Sequence, residues 1–338
     1  MSATSYFTES GIAQLNQFAL ITASGADAIN FLHSQLTNDI KSLAENHGCL
    51  AGFCTPKGRL LATMLLWKIN DTITIEVPRE LQENLQKRLQ MYVMRAKLKL
   101  DHITDAHAVL GIFGEATAAK LARWFPELPT SPYVLASTPD GTLLRLPDVA
   151  GVARYQCIVA KALAAQIEQA ATQLSAVHLA NEQNTQHTIK PLLPESSWTL
   201  SEIHAGIPHV TAATQEKFVP QMINFELIGG VNFKKGCYPG QEIVARTHYL
   251  GKQKRRTVLA QIPSAAVRSG MEVFACTDLE QPCGMVVNAA PNATGGSDCL
   301  IEIKTSFLSD TVVQLSSGEI CRWLPMPYAL PADAQQTS

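Results

Sequence analysis

A single cysteine, Cys237, stands between two lysines and a Pro-Gly turn in the stretch FKKGCYPGQEIVART at residues 233–247. The Pro-Gly-Gln-Glu that follows it is typical of a helix start. The thiol would therefore lie just before a helix N-terminus, where partial positive charge favours a thiolate. Lys234 and Lys235 add to that charge. The stretch predicts a reactive thiol, and an inert, buried cysteine is the alternative that these residues leave open.

The neighbours of the cysteine could assist such a thiol. Glycines on both sides would leave room for a second molecule to approach. The motif candidates for this role, or for binding an anion, are Gly236, Tyr238, Gly240, Gln241, Glu242 and Arg246.

Positive charge is concentrated after the cysteine as well as around it. Residues 234–256 hold seven lysines and arginines against one acid, although the whole chain has a net charge of −2. The run GKQKRR at 251–256 predicts a site for an anion, either RNA phosphates or a carboxylated small molecule, while a solvated loop is the ordinary alternative. The candidate residues are Lys252, Lys254, Arg255 and Arg256.

One tryptophan also draws notice. Trp198 follows Pro-Glu-Ser-Ser, a helix-start pattern, and is surrounded by polar residues. Tryptophan usually belongs to a core or an interface. If it were exposed at a cleft, it could stack on a flat heterocycle.

Composition limits the class of protein. The chain has 338 residues, 46% of them hydrophobic and 17% charged, which predicts more than one globular domain. Its eight cysteines include no CxxC pair, so we expect neither a disulfide framework nor a metal of its own. The start lacks the pattern of a signal peptide, and no apolar run could span a bilayer. We expect a soluble, reduced, cytoplasmic protein that does not contact a membrane.

The order of predicted elements indicates an α+β protein. A first series of strands and helices covers about residues 1–104, and a similar series covers about 105–182, as in two split βαββαβ-type units. Polar residues 183–197 read as a linker, residues 198–254 carry the cysteine motif, and residues 255–330 read as a small all-β domain with a tail at 331–338.

The motif KKGCYPGQEIVAR resembles the signature of the YgfZ folate-binding proteins, which are related to the T-protein (aminomethyltransferase) of the glycine cleavage system. Further blocks appear in that family's order: SGADAINFLHSQLTNDI (24–40), CTPKGRLL (54–61), IHAGIPHV (203–210), FVPQMINFELIGGVNF (218–233) and GKQKRR (251–256). Together they cover most of the chain.

The resemblance implies a T-protein-like three-lobed fold, with two interleaved α+β domains, the second part of the folate domain over 198–254, and a C-terminal β-barrel. It implies binding of tetrahydrofolate, with Phe18 and Trp198 at the two positions where the family places folate-associated tryptophans. It also implies a role in maintaining iron–sulfur enzymes, an indirect effect on tRNA modification (methylthiolation), and Cys237 as the signature cysteine.

Two positions depart from the T-protein. Ala62-Thr63 stands where the T-protein has a paired Asp, one of which is catalytic, and His204 stands where it has a glutamate. Without the carboxylate nothing obvious relays a proton during aminomethyl transfer. A true aminomethyltransferase is therefore disfavoured.

Three interpretations remain. The first is a monomeric, folate-dependent accessory protein that acts with iron–sulfur enzymes or their assembly proteins through Cys237. The second is a folate-dependent one-carbon or aminomethyl transferase with rearranged catalytic residues. The third is a module that contacts tRNA directly through the basic run.

Overall fold

A computed structural model describes residues 10–179, 189–249, 253–309 and 311–331 of the chain. The helices are α1 (Ala28–Gln35), α2 (Gln82–Val93), α3 (Glu115–Ala119), α4 (Lys161–Leu179), α5 (Glu195–His204) and α6 (Gln241–Tyr249). The strands are β1 (Ser10–Gln14), β2 (Phe18–Ser24), β3 (Gly48–Cys54), β4 (Leu60–Ile69), β5 (Thr72–Pro78), β6 (Lys99–His102), β7 (His107–Phe113), β8 (Leu135–Thr138), β9 (Gly141–Val149), β10 (Val152–Ala160), β11 (Ile189–Leu193), β12 (Arg255–Ile262), β13 (Glu272–Ala275), β14 (Asp278–Pro291), β15 (Ser297–Lys304), β16 (Val313–Leu315) and β17 (Arg322–Leu324).

The first sheet has five strands in the order β3-β4-β5-β2-β6. Its strands pair antiparallel throughout. Most of β4 is buried along both faces, which agrees with its nearly continuous apolar run LLATMLLW. This sheet supplies the largest part of the main hydrophobic core.

The second sheet has six strands in the order β11-β1-β7-β10-β9-β8. Strand β1 precedes the strands of the first sheet in the chain but belongs to the second sheet. It pairs antiparallel with β7 and parallel with β11. Because the start of the chain completes the sheet of the second α+β series, the two series are interleaved, as predicted. Helix α5 packs against β1 of this sheet and against β14 and β15, and its Trp198 belongs to the same core as Leu66 of β4 and Phe113 of β7.

The third sheet is formed by β16-β13-β14-β15-β12-β17, all antiparallel, and it curls into a half-barrel. It has a separate apolar core that includes Val258, Val286 and Ile301. The predicted C-terminal β-structure is confirmed.

The prediction of a linker over 183–197 is partly wrong. Residues 189–193 form strand β11, and α5 begins at Glu195. β11 lies at the sheet edge, where a proline such as Pro191 is tolerated because the ladder needs no donor from it on the open side. Residues 183–188, and the predicted tail beyond Pro331, lie outside the described residues.

In the part of the chain that the structure describes, no helix is both long and apolar enough to cross a membrane.

Candidate functional site

The predicted helix after the cysteine motif is α6, and Cys237 lies just before it, exposed to solvent. Among the eight cysteines only Cys276 is also exposed. The others are buried or partly buried, and burial raises the pKa of several of them, for example to about 12 at Cys49 and Cys54. A thiol of that kind is a poor nucleophile.

The side chains of Lys235 and Tyr238, on either side of the exposed cysteine in the sequence, are buried. The ammonium group of Lys235 donates to the carbonyl oxygens of His33 and Leu36, the latter at 2.6 Å, at the C-terminal end of α1. That end of a helix attracts cations. The ammonium nitrogen also lies 4.8 Å from the centroid of the Tyr238 ring, which is 6% exposed. Cys237 is therefore held between two fixed side chains.

Burial changes the acidity of the Lys235 ammonium group. Desolvation lowers the pKa of its ammonium to about 8, while the negative charges of Asp39 and of a Cys237 thiolate oppose that change. Activation of the thiol by Lys235 stays a prediction. The lysine also has a structural role that the sequence does not reveal, since it caps α1.

The two glycines of the motif, Gly236 and Gly240, differ in the space around them. A Cβ built on Gly236 would meet only His33, at 3.5 Å, so this glycine leaves open space. At Gly240 the backbone has φ +82°, and a Cβ would lie 2.4 Å from the carbonyl oxygen of Thr55 and 2.7 Å from Gly58. The expectation that Gly240 leaves room for a second molecule is wrong, because it packs against the turn at residues 55–58.

Two residues of the basic run, Arg255 and Arg256, form ion pairs within the protein. Arg255 pairs with Glu302, and one of its two contacts is 2.9 Å. Arg256 is 5% exposed and donates to Glu226 and to the carbonyl oxygen of Gln221. The expectation that both arginines bind an external anion is therefore wrong, because each charge is neutralised by a carboxylate of the same chain.

The remaining polar motif residues lie at the surface or outside the described part. Lys252 is outside the described residues. The side chains of Lys234, Glu242, Arg246 and Lys254 are exposed. Gln241 is half-buried and bonds weakly to the Lys235 carbonyl at 3.5 Å.

A separate cavity of about 460 Å³ opens at the start of β2. Phe18 and Pro78, opposite each other on β2 and β5, form an apolar wall, and Thr199 of α5 and Asn288 of β14 bring polar groups to it. Helix α5 is tied to this edge because Glu195 accepts a hydrogen bond from the Gln17 amide at 2.6 Å. None of the described residues of the 234–256 segment lines the cavity.

Trp198 does not reach that cavity. Its side chain is 0% exposed and packs edge-on against Phe113, with ring centroids 5.3 Å apart. The guanidinium of Arg154 lies 5.2 Å from its ring centroid. The prediction that Trp198 and Phe18 share one open aromatic face is wrong in this structure, because the core covers the indole on all sides.

The cavity also contains a polar pair that the sequence interpretation missed. His209 lines the cavity, and its Nε2 lies 3.1 Å from Oε2 of Glu202. The other carboxylate oxygen of Glu202 accepts from Arg154 at 2.6 Å. Burial would raise the pKa of Glu202, but Arg154 and His209 more than offset it and the net pKa is lowered. Glu202 is therefore an ionised carboxylate inside the core.

The positions that depart from the T-protein have local partners. Thr63 accepts a hydrogen bond from the Val210 amide at 3.0 Å, directly beside His209. His204 lies 2.7 Å from Oδ2 of Asp298 on β15, with both side chains buried. Within the described residues, no group of three or more His, Cys, Asp or Glu side chains is arranged to hold a metal ion.

Comparison with solved structures defines the class of fold. Over 96% of this chain and 87% of the other, the structure is similar to the glycine cleavage system aminomethyltransferase T from Bartonella henselae, with a TM-score of 0.72 and 13% sequence identity. The architecture is therefore T-protein-like.

Comparison with curated sequences gives the family. The chain is 32% identical over 247 residues to the tRNA-modifying protein YgfZ of Photorhabdus laumondii, covering 72% of this chain and 68% of that one. It is 26% identical over 339 residues to YgfZ of Yersinia pestis, covering 95% and 93%. No family model matches. The chain belongs to the YgfZ tRNA-modifying protein family.

Proposed function

We propose that this protein binds tetrahydrofolate in the cavity at Phe18 and acts as an accessory protein for iron–sulfur enzymes, through the exposed thiol of Cys237. Its effect on tRNA methylthiolation then follows from the enzymes that it maintains. The observation that carries the proposal is the cavity itself, an aromatic-walled opening in a chain of this family.

The cavity suits a flat heterocycle. A volume of about 460 Å³ is within the usual range of ligand sites, roughly 300–1,000 Å³. Phe18 and Pro78 offer an apolar face, while Gln17, Thr199 and Asn288 can fix the orientation of polar ring atoms. The lining also includes Arg79, which can pair with a carboxylate such as the glutamyl tail of a folate.

The thiol suits exchange with another molecule. Cys237 is exposed, Lys235 is close enough to interact with its charge, and Gly236 leaves open space beside it. Direct tRNA binding by the basic run is less well supported, because Arg255 and Arg256 are already paired with Glu302 and Glu226.

Titration of tetrahydrofolate under argon tests the binding site. Stacking on an open aromatic ring contributes about 1–3 kcal/mol. Phe18 is only 3% exposed, so Phe18→Leu should weaken binding by about fivefold, the lower end of that range. Phe125→Leu is the matched control, since Phe125 is equally buried but belongs to the core of the second sheet, away from the cavity. Equal affinity of both variants and the unchanged protein would remove Phe18 from the site.

Complementation tests the thiol. In cells that lack this protein, Cys237→Ser should fold and bind tetrahydrofolate but should not restore the activity of iron–sulfur enzymes. Cys276→Ser, which changes the other exposed cysteine, should restore it fully. Full activity with Cys237→Ser would show that the thiol is not required.

A further inference from the structure

The cavity at Phe18 contains one titratable ring, that of His209, with its Nε2 bonded to Glu202. The ring packs against Phe18, with centroids 5.3 Å apart at an angle of 52°. Its side chain is 22% exposed, so part of the imidazole is open to a ligand while the rest is enclosed.

The backbone of His209 is fixed from two directions. The side-chain amide of Asn288 accepts from the His209 N–H at 2.8 Å and donates to its carbonyl oxygen at 3.0 Å. The next amide, that of Val210, donates to Thr63 at 3.0 Å. Side chains from three separate segments thus determine where the imidazole sits, which is the arrangement expected of a residue that recognises a ligand.

The partner of the His209 imidazole is the ionised carboxylate of Glu202. Glu202 is 4% exposed and is held by Arg154 at 2.6 Å and by His209 at 3.1 Å. A carboxylate at one ring nitrogen stabilises the protonated imidazolium and leaves the other nitrogen as a donor. Among the described residues no hydrogen bond to Nδ1 of His209 is found, so Nδ1 is the ring nitrogen available to the cavity.

We propose that His209 recognises a hydrogen-bond acceptor on the bound ring, such as a ring carbonyl oxygen, as an imidazolium, and that ligand binding is therefore coupled to proton uptake. The inference rests on the proposed function and deepens it, since it names the atom class that the cavity selects. The proton comes from solvent and is held at Nδ1, no other bond forms or breaks, and the positive charge is balanced by Glu202.

Several other charged groups lie around His209. Glu202 contacts the imidazole at 3.1 Å, and its other carboxylate oxygen accepts from Arg154 at 2.6 Å. Further titratable groups on this side are Arg79 and Glu80 at the cavity edge, and Glu76 and Tyr133, which both interact with Glu202. Of these groups, only His209 is an imidazole that lines the cavity.

Calorimetric titration of tetrahydrofolate, in buffers with different ionisation enthalpies, counts the protons taken up on binding. Between pH 6 and pH 8 the affinity of the unchanged protein should fall about tenfold as the linked proton is lost. In His209→Gln the amide keeps the volume and a donor but cannot titrate, so proton uptake should vanish and the affinity should not depend on pH. His47→Gln, at an exposed histidine away from the cavity, is the control.

Two outcomes separate the inference from the proposed function. Binding by His209→Gln with unchanged proton uptake would overturn the role of His209 and leave the folate site in place. Absence of any binding heat from the unchanged protein would overturn the folate site, and this inference with it. Thermal unfolding and near-ultraviolet circular dichroism establish that each variant is folded.

Discussion

Trp198 of α5 occupies the space above Gly111 of β7. A Cβ at Gly111 would lie 2.3 Å from the indole Cε3 and 2.8 Å from Cζ3. The missing side chain on the strand is what allows the helix to bring its largest residue against the second sheet. Burial of the indole therefore depends on a glycine that lies far from it in the sequence.

Gly111→Ala should destabilise the protein, because the methyl group overlaps the indole and forces α5 away from the sheet. Overpacking of this kind costs about 1–3 kcal/mol. Urea unfolding measures it. Gly236→Ala, where a Cβ meets only His33 at 3.5 Å, is the control and should unfold at nearly the original urea concentration.

Trp198→Phe should reduce stability while leaving tetrahydrofolate affinity within about twofold. Full truncation of such a side chain costs about 3–5 kcal/mol, and phenylalanine retains part of that packing. The indole N–H finds no protein partner among the described residues, so no hydrogen bond is lost. A large loss of affinity in a folded Trp198→Phe protein would show that Trp198 takes part in ligand binding.

Cys237 should react with iodoacetamide faster than Cys276, although both thiols are exposed. The ammonium of Lys235, two residues before Cys237, is held in place by its contact with the end of α1, and a nearby cation favours the thiolate, which is the nucleophile. Peptide mapping by mass spectrometry after short exposure at neutral pH measures both rates in one sample. Equal rates, in the native and in the urea-unfolded protein, would mean that the fold does not activate Cys237.

Glu76 should make stability depend on pH. Burial raises the pKa of its carboxyl from 4.5 to about 8, and Oε1 accepts from Gln156 at 3.0 Å. Between these pH values the folded protein holds a proton that the unfolded chain has lost, so stability falls as pH rises through this window. Glu76→Gln should therefore raise the melting temperature more at pH 8.5 than at pH 5. Glu83→Gln on the exposed face of α2 should show no such difference.

Substitutions at Arg256 and at Lys254 should differ sharply in their effect on stability, although the two residues are only two positions apart. Arg256→Met leaves the carboxylate of Glu226 buried without its partner, which typically costs 3–5 kcal/mol. Lys254 is exposed, and Lys254→Met should change stability by less than about 0.5 kcal/mol. Guanidinium unfolding of the two variants makes the comparison, and similar small effects would mean that the Arg256 pair is not a structural element.

Much of the fold follows from local patterns. Alternating and continuous apolar runs predict β3, β4, β5, β7, β9 and β10, and spacing at helical intervals predicts α1, α2 and α4. The turn chemistry after Cys237 likewise predicts α6. The pairing of β1 with β7 and β11 is not visible in the sequence without a family resemblance, because it joins segments that are separated by most of the two α+β series.

The site is less predictable because its contacts are nonlocal. Polar neighbours of Trp198 suggest exposure, yet Gly111 on a distant strand makes its buried position possible. Lys235 and Arg256 look like surface charges but have partners on other elements. One signal was present: Arg154 stands in the apolar run of β10, and a charge in such a position requires a buried partner, here Glu202.

The position of β1 sets an order of events during synthesis. This strand emerges from the ribosome before every other described strand, but its neighbours β7 and β11 are made much later. The five-strand sheet, β2 to β6, can close in the meantime, while β1 must wait unpaired. A chain cut between β6 and β7 would give two pieces, one of which carries a central strand of the other's sheet. The second piece would lack the strand between β7 and β11, so its sheet is complete only when both pieces are present.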